Sequence, residues 1–146
     1  MSKIYVFDID GTVADNSART KWVEQTPKDW KKYNETMAYD KPIADIIELL
    51  QTIDNGISTI IFCTGREEVY REVTEKWLRN QDITWNALYM RPAKDYRSDS
   101  IVKVELLNQI RQDFGEPFMW FDDRDSVVSA IRAQGVRVLQ VRPGAF

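Results

Sequence analysis

The sequence predicts an α/β protein, a doubly wound, Rossmann-like parallel sheet with a small helical insert after the first strand. Three observations carry this. Five short apolar segments rich in β-branched and aromatic residues alternate with four segments whose apolar residues recur at three and four. The alternation breaks once, early in the chain, over a charged and aromatic stretch of about 13–41. A length of 146 residues with 43% hydrophobic and 12% aromatic content suits one compact core, so a single domain over 1–146 is expected.

The elements follow in order. KIYVF (3–7) reads as the first strand, STIIFC (58–63) as the second, ALYM (87–90) as the third, PFMWF (117–121) as the fourth and VRVLQV (136–141) as the fifth. Between them PIADIIELLQTI (42–53), EEVYREVTEKWLRN (67–80), SIVKVELLNQIRQDF (100–114) and DSVVSAIRAQ (125–134) carry a helical period. Gly56, Gly115 and Gly135 follow three of these helices, where a left-handed residue commonly closes one. Strict alternation implies parallel strands joined by right-handed crossovers. Residues 13–41, with Trp22, Trp30, Tyr33 and Tyr39 among many charges, are expected as short helices and a loop beside the sheet's edge. RPGAF (142–146) reads as a short tail.

Composition excludes several classes. A formal charge of −3 and a pI near 5.1 argue against a broad basic face that coats nucleic acid. One cysteine and no histidine remove disulfide scaffolds, zinc sites and imidazole chemistry, leaving acid–base work to carboxylates, Lys or Tyr. With no apolar run of membrane-spanning length and no signal-peptide layout, the expectation is a cytoplasmic protein without membrane contact.

In an open parallel sheet, ligands bind at the carboxyl ends of the strands. Asp8 and Asp10 follow the first strand, TGR (64–66) the second and DDR (122–124) the fourth, so three polar clusters converge on one edge. Asp8, Asp10, Asp122 and Asp123 would repel one another there without a cation; in the absence of nearby His or Cys, a hard oxygen-ligated ion, Mg²⁺, is expected. The strand period puts Asp8 and Asp10 on the same side, so that one can attack while the other handles a proton. Gly11 permits the turn after them, and the Thr12 hydroxyl is expected on local backbone. Thr64 and Gly65, just before a helix expected from Glu67, suit an anion, and Lys103 adds a point charge from the first turn of the next helix.

DIDGT, TGR, a following Lys and DDR, in this order on alternating elements, resemble the four motifs of the haloacid dehalogenase superfamily of phosphohydrolases. The resemblance spans almost the whole chain. It implies a fold of that type, with Asp8 as nucleophile forming an aspartyl-phosphate and Asp10 as the general acid that later activates water. Thr64 would hold the transferring phosphoryl group, and Lys103 would neutralise it and Asp8. Mg²⁺ would lie between the Asp8 carboxylate, the Asp10 backbone carbonyl and a member of Asp122–Asp123.

The spacing is also similar to the 3′-phosphatase domain of phage polynucleotide kinase-phosphatases, whose two arginines fall at Arg19 and Arg66 and whose further acid falls at Asp99. That resemblance implies a phosphorylated nucleic-acid end or a nucleotide as substrate, contacted by Arg19, Arg66, Asp99, Thr64 and Gly65. Arg fits a nucleotide through its planar fork of donors; the bland alternative for Arg66 is an ion pair with Asp99 or Glu67. Near Asp99, RPAKDYR (91–97) offers cations and a tyrosine to a strand. No G-x-x-x-x-G-K-[ST] loop occurs, so 5′-kinase activity is not expected and the chain reads as a freestanding phosphatase.

Three other readings stand beside this one. A 5′(3′)-deoxyribonucleotidase shares the Asp motifs, with the Trp-rich insert covering a base. A phospho-Asp signalling receiver uses similar groups but in the reverse order along the chain. A cysteine phosphatase needs C-x₅-R, whereas Val69 stands where the Arg would be.

Overall fold

The computed structural model of the chain describes residues 2–146. Its main sheet has five parallel strands in the order β5–β4–β1–β6–β7: β1 is Ile4–Phe7, β4 Thr59–Glu67, β5 Ala87–Arg91, β6 Met119–Asp122 and β7 Val138–Gln140. The chain runs outward from β1 to β4 and β5, then recrosses to β6 and β7 on the other side. The strand order therefore reverses at the central β1, where a doubly wound sheet opens its ligand crevice.

Side-chain alternation divides the core in two. Ile4, Val6, Ile61, Cys63 and Trp120 face one side, against α5 (Asp99–Asp113) and α6 (Asp125–Ala133). Phe7, Ile60, Phe62 and Phe121 face the other, against α3 (Ala44–Ile53) and α4 (Arg71–Asn80), and there Phe7 stacks on Phe121 with centroids 4.4 Å apart. Gly115 and Gly135, at φ +120° and +85°, close α5 and α6 where the sequence places breakers.

The sharpest departure is at residues 64–67. The sequence ends the second strand at 63 and starts a helix at 67; instead β4 continues to Glu67, with a register shift against β5 between Thr64 and Glu67. A turn of 3-10 helix, Glu68–Tyr70, follows, and α4 starts only at Arg71. The local cause is Gly65, which reads as a breaker yet serves here as part of an irregular strand end.

The insert also sits differently from expectation. A two-stranded antiparallel ladder, β2 (Ala14–Asp15) with β3 (Lys41–Pro42), closes its base, and between them lie α1 (Lys21–Glu24), α2 (Trp30–Glu35) and a 3-10 turn at Met37–Tyr39. The Asp29 carboxylate caps α2 by accepting the Lys32 N–H at 3.0 Å. The insert packs on α4 and over the carboxyl ends of β1 and β4, since the Trp77 indole donates to the Asp40 carbonyl and Met37 meets Arg66 and Thr74. It covers strand ends rather than flanking the outermost strand, because Arg19 and Asp40 meet Asp10 and Arg66 there while Val13 and Ala14 join the core with Phe7 and Ile9. The terminal segment is likewise held: the Gly144 carbonyl accepts the Asp125 N–H at 2.7 Å.

Candidate active site

Three adjacent strands, β4, β1 and β6, deliver the predicted clusters to one place. Past Phe7 the ladder runs one residue further, the Asp8 N–H donating to the Phe121 carbonyl at 2.9 Å. Asp8 and Asp122 share the even parity of Val6 and Trp120, so both carboxylates face the α5 side of the sheet. Lys103, in the second turn of α5 rather than its first, answers them: its Nζ donates to Asp8 Oδ1 and to Asp122 Oδ2, each at 2.8 Å. All three are buried. Burial opposes the Lys103 charge, but Asp122 and Asp8 hold its pKa well above the ordinary range.

Burial and then Asp122 push the Asp8 carboxyl well up, against the pull of Lys103, and the same two causes raise Asp123. The Thr12 hydroxyl, expected on backbone, donates instead to Asp8 Oδ2 at 3.3 Å, because the tight Ile9–Ala14 turn brings it under the strand end. Asp122 is saturated: Oδ1 accepts the N–H groups of Asp123 and Arg124, and Oδ2 accepts Lys103 and the Trp120 indole. Asp123 is engaged at Oδ2 alone, by two nitrogens of Arg142 at 3.3 Å.

Asp10 has a separate set of partners. Its Oδ1 accepts from Arg19 at 2.7 Å and Arg66 at 2.8 Å, while Oδ2 accepts only Arg66 Nε at 3.1 Å and retains an open lone-pair direction. Burial works against the charge, but Arg66 and then Arg19 outweigh it and hold the Asp10 carboxyl at about 2. Its side chain is 21% exposed, against 6% for Asp8, so it stands at the open side of the cluster. Both arginines are themselves buried, and their remaining donors go to Asp40, the Tyr33 carbonyl, Thr74 and the Met37 sulfur. Arg66 therefore pairs with Asp10 and Asp40, not with Asp99 or Glu67.

Thr64 is buried within β4 where its register against β5 shifts, and there its hydroxyl oxygen accepts the Arg66 N–H at 3.1 Å and keeps its own proton to donate. Gly65 lies against Asp99, the first residue of α5; a β-carbon on Gly65 would stand 2.0 Å from Asp99 Oδ1. Asp99 pairs with Arg91 at 2.8 Å, and the Arg91 fork also takes the carbonyls of Gly65, Asp95 and Arg97. The 91–97 loop is thus tied to the site, with Tyr96 exposed at its surface. The helix N-terminus expected behind Thr64 and Gly65 is absent there, since α4 starts six residues beyond Gly65. Cys63 is fully buried in β4 and burial pushes its thiol up, which leaves it no nucleophilic part.

Asp8, Asp122 and Asp123 each place a carboxylate oxygen within 4.8 Å of the other two. Asp8, Asp122 and Asp123 are paired only with Lys103 and the part-exposed Arg142 among the described residues, which leaves net negative charge with no hydrogen bond at Asp123 Oδ1, and a hard divalent cation fits that donor set. Sequence reading missed Asp40 and Arg142, which touch the motif residues from 21 or more positions away for Asp40 and 19 for Arg142. No local spacing signals such partners.

A parallel sheet of this order with acids at the ends of β1 and β6 defines a hydrolase fold of the haloacid dehalogenase type. The fold matches a haloacid dehalogenase-like hydrolase from Streptococcus pneumoniae (TM-score 0.67, 15% identity, 95% of this chain and 84% of that one) and a class C acid phosphatase from Bacillus anthracis (TM-score 0.71, 19% identity, 99% and 68%).

Within that class the chain belongs to the family of polynucleotide kinase PNKP phosphatase domains, whose profile matches residues 2–146. A bifunctional polynucleotide kinase/RNA ligase of Autographa californica nuclear polyhedrosis virus is 29% identical over 123 residues, 83% of this chain and 16% of the relative. A chain of the Pnkp1/Rnl/Hen1 complex is 28% identical with a TM-score of 0.85, covering all of this chain and 48% of its own length. The chain spans less than half the length of these two relatives. Among the described residues no helix is long and apolar enough to cross a membrane.

Proposed function

We propose that this phosphatase domain removes 3′-phosphates from polynucleotide ends through an aspartyl-phosphate formed on Asp8. The observation that carries the reading is the Lys103 bridge to Asp8 and Asp122, 2.8 Å on each side. It holds a buried carboxylate, with its charge partly offset, at the centre of a strand-end crevice.

In the first half, an Asp8 oxygen attacks phosphorus and the bond from phosphorus to the 3′-oxygen breaks. Thr64 and Lys103 hold the phosphoryl oxygens, and because Arg66 and Arg19 keep Asp10 ionised in the free site, the proton given to the leaving oxygen comes from the phosphate monoester monoanion and is relayed through Asp10 Oδ2. In the second half, Asp10 Oδ2, now ionised, takes a proton from water as the water oxygen attacks the same phosphorus. The acyl phosphate breaks, inorganic phosphate leaves and Asp8 is restored. Arg66 and Arg19 favour the ionised form of Asp10 that the second half needs.

Bound Mg²⁺ would neutralise the charge gathered between Asp8 and the phosphoryl group. Its carboxylate ligands would be Asp8 and Asp123, with the Asp10 carbonyl, because Asp122 has no acceptor direction left. Arg19 and Arg66 act on the substrate through Asp10, and Asp99 shapes the phosphate pocket by abutting Gly65.

A polymer end rather than a mononucleotide is favoured by the insert: Trp22 packs under Lys21 and Lys32, and Trp30 meets Tyr33 edge-on, so these rings are engaged within the insert itself. Phosphate release from a 3′-phosphorylated oligonucleotide and from nucleoside 5′-monophosphates, with Mg²⁺ and with EDTA, tests the reading. Higher kcat/KM on the oligonucleotide, abolished by EDTA, is expected; indifference to the oligonucleotide would sink the substrate assignment.

A further inference from the structure

Asp40 belongs to none of the motifs, yet it sits between the two guanidinium groups that hold Asp10. Its Oδ1 accepts Arg19 Nε at 2.7 Å, and its Oδ2 accepts a terminal nitrogen of Arg19 at 2.8 Å and of Arg66 at 3.3 Å. Its side chain is 1% exposed, and the Trp77 indole on α4 fixes its backbone carbonyl at 2.8 Å. Asp10 and Asp40 are the carboxylates to which these two arginines bond, so two negative and two positive charges close into one buried network. Arg19 comes from the insert, Arg66 from β4 and Asp40 from the insert's last turn.

The network has a consequence at one atom. Each guanidinium is a rigid fork, and fixing two of its nitrogens fixes the direction of the rest. Asp40 takes Nε and one terminal nitrogen of Arg19 and one terminal nitrogen of Arg66, and those same two terminal nitrogens turn their other N–H toward Asp10. They converge on Asp10 Oδ1 and leave Oδ2 with a single bond, the oxygen that accepts the proton from water in the reading above. Without Asp40 the Arg19 fork keeps its charge and loses its aim, while Arg66 stays tied to Asp10 and Thr74.

We propose that Asp40 is a positioning residue for the water-activating carboxylate, and that the 13–41 insert braces Asp10 instead of acting as a lid. The inference rests on the proposed role of Asp10. With a leaving group that needs no acid, it predicts a defect confined to hydrolysis of the phosphoenzyme.

The test follows turnover of a ³²P-labelled aryl phosphate, whose leaving group needs no acid, with acid quenching to count phosphate covalently held by the protein. Turnover rate divided by phosphoenzyme concentration is the hydrolysis rate constant, whatever fraction of a preparation is folded. In Asp10→Asn that constant falls about a hundredfold. In Asp40→Asn and Asp40→Ser it falls about tenfold or more while phosphoenzyme still forms. Wild-type hydrolysis constants in both Asp40 variants, with Asp10→Asn impaired, would overturn the inference, as would loss of phosphoenzyme in the Asp40 variants alone. A wild-type constant in Asp10→Asn, or no phosphoenzyme in any protein, defeats the reading of the site itself and so is distinguishable.

Discussion

Gly11 lies so close to Asp123 that a β-carbon on it would stand 2.0 Å from Asp123 Oδ2. It also has φ +84°, in the left-handed region that side chains rarely adopt. The glycine after the two opening acids thus serves a turn and makes room for a candidate metal ligand from the far end of the chain. Gly11→Ala is expected to cost about 1 kcal/mol or more in backbone strain and to displace the Asp123 carboxylate from Arg142. Thermal melting and calorimetric Mg²⁺ titration check this, with affinity falling about tenfold or more. A melting loss with unchanged Mg²⁺ affinity would confine Gly11 to the turn.

Asp8 and Asp123 carry carboxyls raised above 3.8 in the metal-free fold, by burial and by Asp122. A raised acid contributes its stability below its unfolded pKa and loses it as pH rises through the folded value. Without a bound cation, these two carboxyls therefore weigh against stability as the pH rises toward neutral. Asp8→Asn should raise the melting temperature in EDTA by a few degrees while abolishing turnover and phosphoenzyme. In wild type, Mg²⁺ at a hundred times its Kd should add about 2.7 kcal/mol of stability. Near-normal turnover by Asp8→Asn would refute the covalent mechanism.

Asp10 has the opposite sign. Burial resists its ionisation, yet Arg66 and Arg19 hold it at about 2, below the 3.8 of a free carboxyl. Its stabilisation is present above the unfolded value and lost as pH falls from about 4 to 2. Asp10→Asn should cost about 2 kcal/mol at neutral pH, a loss that shrinks as the pH drops below about 4. Urea unfolding of both proteins across that range measures it, and a difference independent of pH would show that lost packing, not lost charge, sets the cost.

The strands and helices were legible because burial on both faces of a parallel sheet leaves apolar runs that alternate with helical stripes. Asp8 and Asp122 were legible because each stands at a strand end that hydrophobic periodicity marks; Thr64 and Lys103 were legible as polar residues beside apolar runs, though they lie inside β4 and in the second turn of α5. The end of β4 was not, since Gly65 carries the same signal whether it breaks a strand or bends one. Asp40 and Arg142 were illegible for another reason: their partners are set by tertiary approach, as with the 56-residue separation of Asp10 and Arg66. Thr12 showed its hydroxyl in the sequence but not that the turn would aim it at Asp8.

Gly65 offers the last prediction. Its α-carbon leaves no room for a side chain beside Asp99 Oδ1, and Asp99 is in turn held by Arg91, which also grips the Gly65 carbonyl. A methyl group there must push Asp99 away, because the competing neighbour is a short carboxylate anchored at the first residue of α5. The core on either side of β4 is untouched, so Gly65→Ala should melt within a few degrees of wild type. Thr64, one residue earlier, would lose its alignment with an arriving phosphate, and kcat/KM on the 3′-phosphorylated oligonucleotide should fall about tenfold to a hundredfold. Asp99→Ala, added to Gly65→Ala, removes the clash and should recover part of that loss if crowding is its cause. Failure to recover would instead assign Asp99 a direct part in holding the substrate.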